Sequence, residues 1–256
     1  MNQAPNQAQA QAQPNPNPMV AILIECDNVK SLGNSCERDL YNIHKMLIQE
    51  LHLDPANIYV LTNNIAWFAK KNIILNVGSN HIKSLETIFQ NIKTDSLYIH
   101  VSGHGYQGND IKQIELDGRC EQIVLSSGTL CDYQFNDMLR KYISVNTMLR
   151  ISVDTCHSGT FSNFCYSINN ANTKTLASKK ANPYFTNGYS ISACGDSQLD
   201  SCDVGTVGGF GGGLTSHILE NNNLIEFIKG DPSKVRNNLV PVLKLLNQEP
   251  VLLVDM

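Results

Sequence analysis

What this 256-residue chain lacks narrows its reading first. It has no run of lysines or arginines, and its formal net charge of −4 argues against a general nucleic-acid binder. No apolar stretch approaches the roughly 20 residues needed to span a bilayer, and no early apolar run reads as a signal peptide. The eight cysteines include no Cys-x-x-Cys pair. Most of them therefore read as small buried hydrophobes of a reducing compartment. The glycine-rich residues 208–213 lack the Lys-Ser/Thr ending of a phosphate loop and follow no apolar strand directly. They read instead as a flexible substrate-side loop. No internal repeat is visible. These absences point to a soluble, cytoplasmic protein with no nucleic-acid or membrane partner.

What is present starts with residues 1–18, which hold only Asn, Gln, Ala and Pro after the first Met. Such a segment buries almost nothing, so a disordered tail is expected there, with one folded domain over residues 19–256. Val20-Ala21-Ile22-Leu23-Ile24 reads as a buried parallel strand. Leu40, Ile43, Leu47, Ile48 and Leu51 then recur at helical spacing from about Glu37. Strand 58–61 follows the Asp54-Pro55 turn. A second helix is marked by Ile82, Leu85, Ile88, Phe89 and Ile92, and a third by Phe135, Met138, Leu139, Tyr142 and Ile143. Residues 113–116 and 122–125 read as a small hairpin about Asp117-Gly118. The polar residues 161–187 read as one long loop, and further strands are expected at 189–194 and 251–254, with a helix over 214–221. This alternation predicts an α/β/α sandwich: a mostly parallel central sheet flanked by helices.

Two strand ends carry the chemistry. Leu97-Tyr98-Ile99-His100-Val101 breaks into Ser102-Gly103-His104-Gly105, and the apolar run 148–153 breaks into Asp154-Thr155-Cys156-His157-Ser158-Gly159. Open α/β sheets place their sites at this carboxyl edge. A thiol and an imidazole there make a nucleophile and base if the two strands are neighbours. His157 is expected to be structural, because adjacent side chains on an extended segment point to opposite faces. His44 and His100 fall in apolar patterns and read as satisfied core histidines.

The paired motifs resemble those of the metacaspases, caspase-like cysteine peptidases, over most of residues 20–254. Cys36-x-x-Asp39, Ile191-Ser192-Ala193-Cys194 with Asp196 and Gln198, and Gln248-Glu249-Pro250 support the likeness. The resemblance implies a caspase–haemoglobinase fold and cleavage of protein or peptide substrates after Arg or Lys. It makes Cys156 the nucleophile and His104 its partner, with the backbone N–H groups of Gly105 and Cys156 as oxyanion donors. It assigns Asp39, Asp154, Cys36 and Ser102 to the pocket for the basic side chain. The chemistry needs no cofactor. The family's activating calcium site is thinned here to Asp132 with Asp117, since Ser162-Asn163 stands where an Asp is usual, and a weak or lost site is expected. Lys174, Lys179 and Lys180 lie in the polar 161–187 segment as candidates for self-cleavage, and the protein is expected to be a monomer. A catalytically weak caspase-like adaptor is the alternative, which the intact His and Cys argue against. Another branch, such as a paracaspase or a bacterial Arg/Lys peptidase, stays open.

Overall fold

A strand as apolar as Val20-Ala21-Ile22-Leu23-Ile24 can be satisfied only with a layer on each of its faces. That is where the fold places it. The computed structural model describes residues 18–26, 32–73, 75, 80–168, 174–177, 179, 182–195, 204–206, 209–220, 222–235, 237–238 and 251–255. Along the chain they form β1 (Val20–Cys26), α1 (Ser35–Gln49), β2 (Ile58–Leu61), α2 (Ile65–Ala69), α3 (His81–Asn91), β3 (Ser96–Gly103), β4 (Gly105–Asn109), β5 (Arg119–Leu125), β6 (Gly128–Cys131) and α4 (Asp132–Tyr142). There follow β7 (Met148–Thr155), β8 (Tyr166–Ile168), β9 (Lys174–Leu176), β10 (Gly188–Ser192), β11 (Val204–Thr206), β12 (Gly209–Gly211), α5 (Gly213–Ile218), α6 (Asn223–Lys229) and β13 (Val251–Val254).

The main sheet runs β2-β1-β3-β7-β10-β13-β8-β9. Its first five strands are parallel, and β13, β8 and β9 continue it antiparallel. Alternate residues of β1 divide between two cores. Val20, Ile22 and Ile24 pack with Leu85, Phe89, Phe135 and Leu139 of α3 and α4. Ala21 and Leu23 pack with Leu40, Ile43 and Leu47 of α1, Leu214 and Ile218 of α5, and Phe227 of α6. Each Leu, Ile or Phe so buried contributes about 1.5–3 kcal/mol. The helices begin where local chemistry allows. The Asn80 side chain accepts from the Lys83 N–H at 2.9 Å ahead of α3, and Gln134 reaches back to the Cys131 N–H at 3.1 Å ahead of α4.

Several expectations change. Residues 113–116 form no strand: Gln113 takes a left-handed φ of 56° and the Asp110 carboxylate holds the Glu115 N–H at 2.7 Å, closing a turn. β5 pairs instead with β4 and β6 in a separate three-stranded sheet. Residues 161–187 are not one long loop, because β8 and β9 extend the main sheet there. Each is only three residues long, too short for a periodicity to be read, and β9 is the solvent-facing edge. The glycine-rich stretch contributes β12, which pairs with β11. The expected 214–221 helix spans only Gly213–Ile218, and α2 and α6 were not foreseen. The proposed tail lies outside the described residues apart from Pro18.

Strand β7 carries one apparent misfit, Arg150, in the middle of an apolar run. Its guanidinium is buried, donating to the carbonyls of Phe227, Leu149 and Asn187 at 2.9–3.0 Å, with Tyr189 stacked 4.8 Å away. On the opposite face of the sheet, Phe135 sits between Phe89 (ring centroids 6.2 Å apart) and Phe161 (5.3 Å). Truncating Phe135 to alanine is expected to cost about 3–5 kcal/mol, measured by urea unfolding. A loss under about 1 kcal/mol would show that this layer collapses around the gap rather than depending on the ring.

Candidate active site

The neighbour condition on the two motif strands is met. β3 and β7 lie side by side, parallel, in a register that pairs His100 with Ser152, Ser102 with Asp154 and Gly103 with Thr155. His104 and Cys156 each follow one residue beyond the last pair. The strands alternate in step. Leu97, Ile99 and Val101 join Leu149, Ile151 and Val153 in one core. The other face of the pair carries Tyr98, His100 and Ser102 beside Arg150, Ser152 and Asp154. Both runs therefore hold a polar ladder on the face covered by α1, α5 and α6.

The backbone fixes both chemical groups. The His104 N–H donates to the Cys26 carbonyl at 2.9 Å, and the His104 ring lies 6.2 Å from that of Tyr106. Any Cβ on Gly105 would overlap the Cys156 carbonyl oxygen, so only glycine lets these two backbones touch. Gly105 and Cys156, the expected oxyanion pair, are thus adjacent. His157 is not on an extended segment. It occupies a turn with a φ of 52°, so the face-alternation argument about it fails. Behind this turn Cys194 bonds to the Thr155 carbonyl at 3.5 Å and lies 3.9 Å from Ser158 Oγ.

Three of the four residues expected in the pocket, Asp39, Ser102 and Asp154, converge. Asp39 and Cys36 share one face of α1, three residues apart, and both are buried. Asp39 accepts the Ser102 hydroxyl at 2.7 Å and the Gly212 N–H at 3.0 Å. Asp154 accepts the N–H groups of Thr215 at 2.6 Å and Leu214 at 3.4 Å. A Cβ on Gly212 would run into the Asp154 carboxylate, so this backbone lies flush against it. Two buried carboxylates from different elements therefore meet at Gly212, and sequence gave no sign of the 212–215 backbone as their partner.

A second acidic group forms around Asp132. Glu115, Glu121 and Asp132 are buried with carboxylate oxygens within 4.8 Å of one another, a set able to hold a metal ion. Burial pushes the Asp132 carboxyl up to about 6, against the N–H groups of Tyr133 and Glu121 that it accepts. Thr160, four residues past Cys156, donates to Glu121 at 2.7 Å. Oxygen donors of this kind suit a hard cation such as calcium. Asp117 is not in the group; it accepts the Arg119 N–H at 2.9 Å in an exposed turn. Glu115 and Glu121 come from a turn and a strand with no recognisable spacing, and only folding reveals them. Lys174 lies in β9, while the exposed Lys179 is held by its N–H on the Ile114 carbonyl at 2.7 Å. Lys180, Asp196, Gln198 and residues 248–250 lie outside the described residues.

Solved structures place this arrangement in a fold class. Caspase-1 from Spodoptera frugiperda, 12% identical, covers 93% of this chain and 87% of its own at a TM-score of 0.54. A protein from Geobacter sulfurreducens, 20% identical, covers 88% of each chain at 0.53. The fold is the caspase–haemoglobinase α/β fold. The metacaspase peptidase C14 domain matches residues 20–165, more than half of the chain, and the chain belongs to that family. It is 28% identical over 147 residues to metacaspase-1 of Yarrowia lipolytica, 55% of this chain and 31% of that protein. With metacaspase-3 of Arabidopsis thaliana it is 28% identical over 130 residues, 49% of this chain and 35% of the other. The matched stretch is thus about a third of the length of these relatives.

Cys156 is only half-buried, whereas burial pushes the thiols of Cys120, Cys165 and Cys194 up to about 11. Those three stay protonated at neutral pH and react poorly. Limited iodoacetamide is expected to alkylate Cys156 ahead of all three, read by peptide mapping. Earlier labelling of Cys194 would mean that the turn after β7 opens more readily than its packing implies.

Proposed function

We propose that the chain is a cysteine endopeptidase that cleaves after Arg or Lys. The observation that carries this reading is the register that ends β3 and β7 together, with the buried Asp39 and Asp154 converging just beneath. His104 takes the proton of the Cys156 thiol, the resulting thiolate attacks the scissile carbonyl, and the imidazolium delivers that proton to the departing amine. Gly105 and Cys156 N–H groups stabilise the oxyanion. Water then hydrolyses the thioester, releasing a product that ends in the basic residue and restoring the thiol. A carboxylate has about four acceptor positions, so Asp39 and Asp154 can keep their backbone donors and still share a guanidinium. Cys36 and Ser102 line the same pocket.

Fluorogenic peptides ending in Arg, Lys or Asp test this directly. Arg and Lys substrates should be cleaved and Asp substrates spared. Cys156→Ala should be inactive, and His104→Ala should lose at least about 10²-fold, with His157→Ala losing much less. A preference for Asp would overturn the pocket assignment, and a greater loss in His157→Ala would move the base.

Self-processing belongs to the same reading. The exposed Lys179, outside any strand, is a better target than Lys174, whose backbone is paired with Ile168; Lys180 is its neighbour. Calcium is not required for the chemistry and acts, where it acts, through Glu115, Glu121 and Asp132. Intact-mass spectrometry should show cleavage after Lys179 or Lys180 in wild type and none in Cys156→Ala. Millimolar calcium should speed it only weakly, and Asp132→Asn should remove that response. Cleavage persisting in Cys156→Ala would exclude self-processing.

A further inference from the structure

The polar ladder beneath the pocket holds groups that the proposed chemistry leaves unused. Tyr98, His100 and Ser152 are fully buried. The Tyr98 hydroxyl lies 2.7 Å from Ser152 Oγ, which lies 2.8 Å from His100 Nδ1. On the other side of the ring, His100 Nε2 lies 3.3 Å from Thr215 Oγ1. The backbone N–H of Thr215 is the closest donor to Asp154, at 2.6 Å. A continuous chain of hydrogen bonds therefore runs from the middle of β3 and β7 to the carboxylate at their edge.

We infer that Thr215, anchored on His100, is a positioning residue for Asp154. The inference rests on Asp154 binding the substrate's basic side chain. The segment leading into Thr215 comes through Gly211 and Gly212, whose backbone has little intrinsic preference. Gly212 is held by its N–H on Asp39, and beyond it the first turn of α5 needs a pin of its own. The Thr215 hydroxyl supplies that pin, because its partner is rigid: His100 is sandwiched in the sheet and tied to Ser152, its direct register partner. Burial pushes His100 down to about 4, so the ring is neutral in the working range and presents one donor and one acceptor nitrogen. Ser152 and Thr215 can each take either role. With α5 pinned, the Thr215 and Leu214 N–H groups aim the Asp154 oxygens, leaving their remaining lone pairs toward the cleft. Losing the pin leaves the carboxylate in place but lets its direction drift.

Thr215→Val removes the hydroxyl while keeping the branched shape and the N–H to Asp154. His100→Leu removes the anchor and leaves Tyr98 and Ser152 paired with each other. Each is expected to raise KM for Arg peptides about five- to tenfold, the worth of one neutral hydrogen bond, with kcat changed less. Thr215→Ser should restore wild-type values. The double variant should be no worse than either single one, because both act through one contact. Iodoacetamide labelling of Cys156 should be unchanged, showing that the effect is not general loosening. Asp154→Asn is measured alongside. If it cleaves Arg peptides as wild type does, the pocket reading fails. If it is inactive while Thr215→Val and His100→Leu both keep the wild-type KM, the positioning inference alone is overturned. Additive losses in the double variant would also overturn it. Having both single variants lets one decide if the other melts too low to assay.

Discussion

The register between β3 and β7 is the constraint on which the site depends. A shift of one residue moves one strand end about 3.3 Å past the other and turns every side chain to the opposite face. That slip would carry His104 away from Cys156 and bury Asp154 among the phenylalanines. Two features oppose it. The apolar partners Leu97, Ile99 and Val101 match Leu149, Ile151 and Val153 on one face. On the other, the His100–Ser152 hydrogen bond lies directly across the pair. A buried polar pair left unmatched costs far more than it contributes when matched, so it selects one register over its neighbours.

The same logic governs the two carboxylates. Buried charges must be met by donors, and among the described residues the backbone N–H groups of 212–215 and the Ser102 hydroxyl meet them. Backbone donors stabilise the charge without consuming it as an ion pair would. In the proposed reading, a basic side chain entering the pocket meets carboxylates that are already desolvated and held. The glycine at 212 belongs to this device, since any side chain there would collide with Asp154. The acidic group at Glu115, Glu121 and Asp132 is tied to the turn after Cys156 through Thr160. This gives the region around that group a physical connection to the loop that follows Cys156.

The sequence alone determined the parts that depend on local chemistry and periodicity. Helical spacing placed α1, α3 and α4 within a few residues, because one apolar stripe in each faces a core. The paired motifs singled out His104 and Cys156, and their family likeness pointed to Asp39, Asp154, Cys36 and Ser102, of which the fold brings Asp39, Ser102 and Asp154 together around Gly212. The alternation in Tyr98-Ile99-His100 and Arg150-Ile151-Ser152 was also written there, but a strand with Arg, His and Ser inside reads as apolar until a partner with the same alternation lies beside it. Tertiary structure decided everything that depends on which segments meet across long separations. It made strands of residues 166–168 and 174–176, three residues each and too short to show a periodicity, the second of them the exposed edge of the main sheet. It replaced Asp117 by Glu115 and Glu121 beside Asp132, since proximity in sequence does not set the direction of a turn. It also brought the 212–215 backbone onto Asp39 and Asp154, because a backbone N–H is the same in every residue and carries no mark in the sequence.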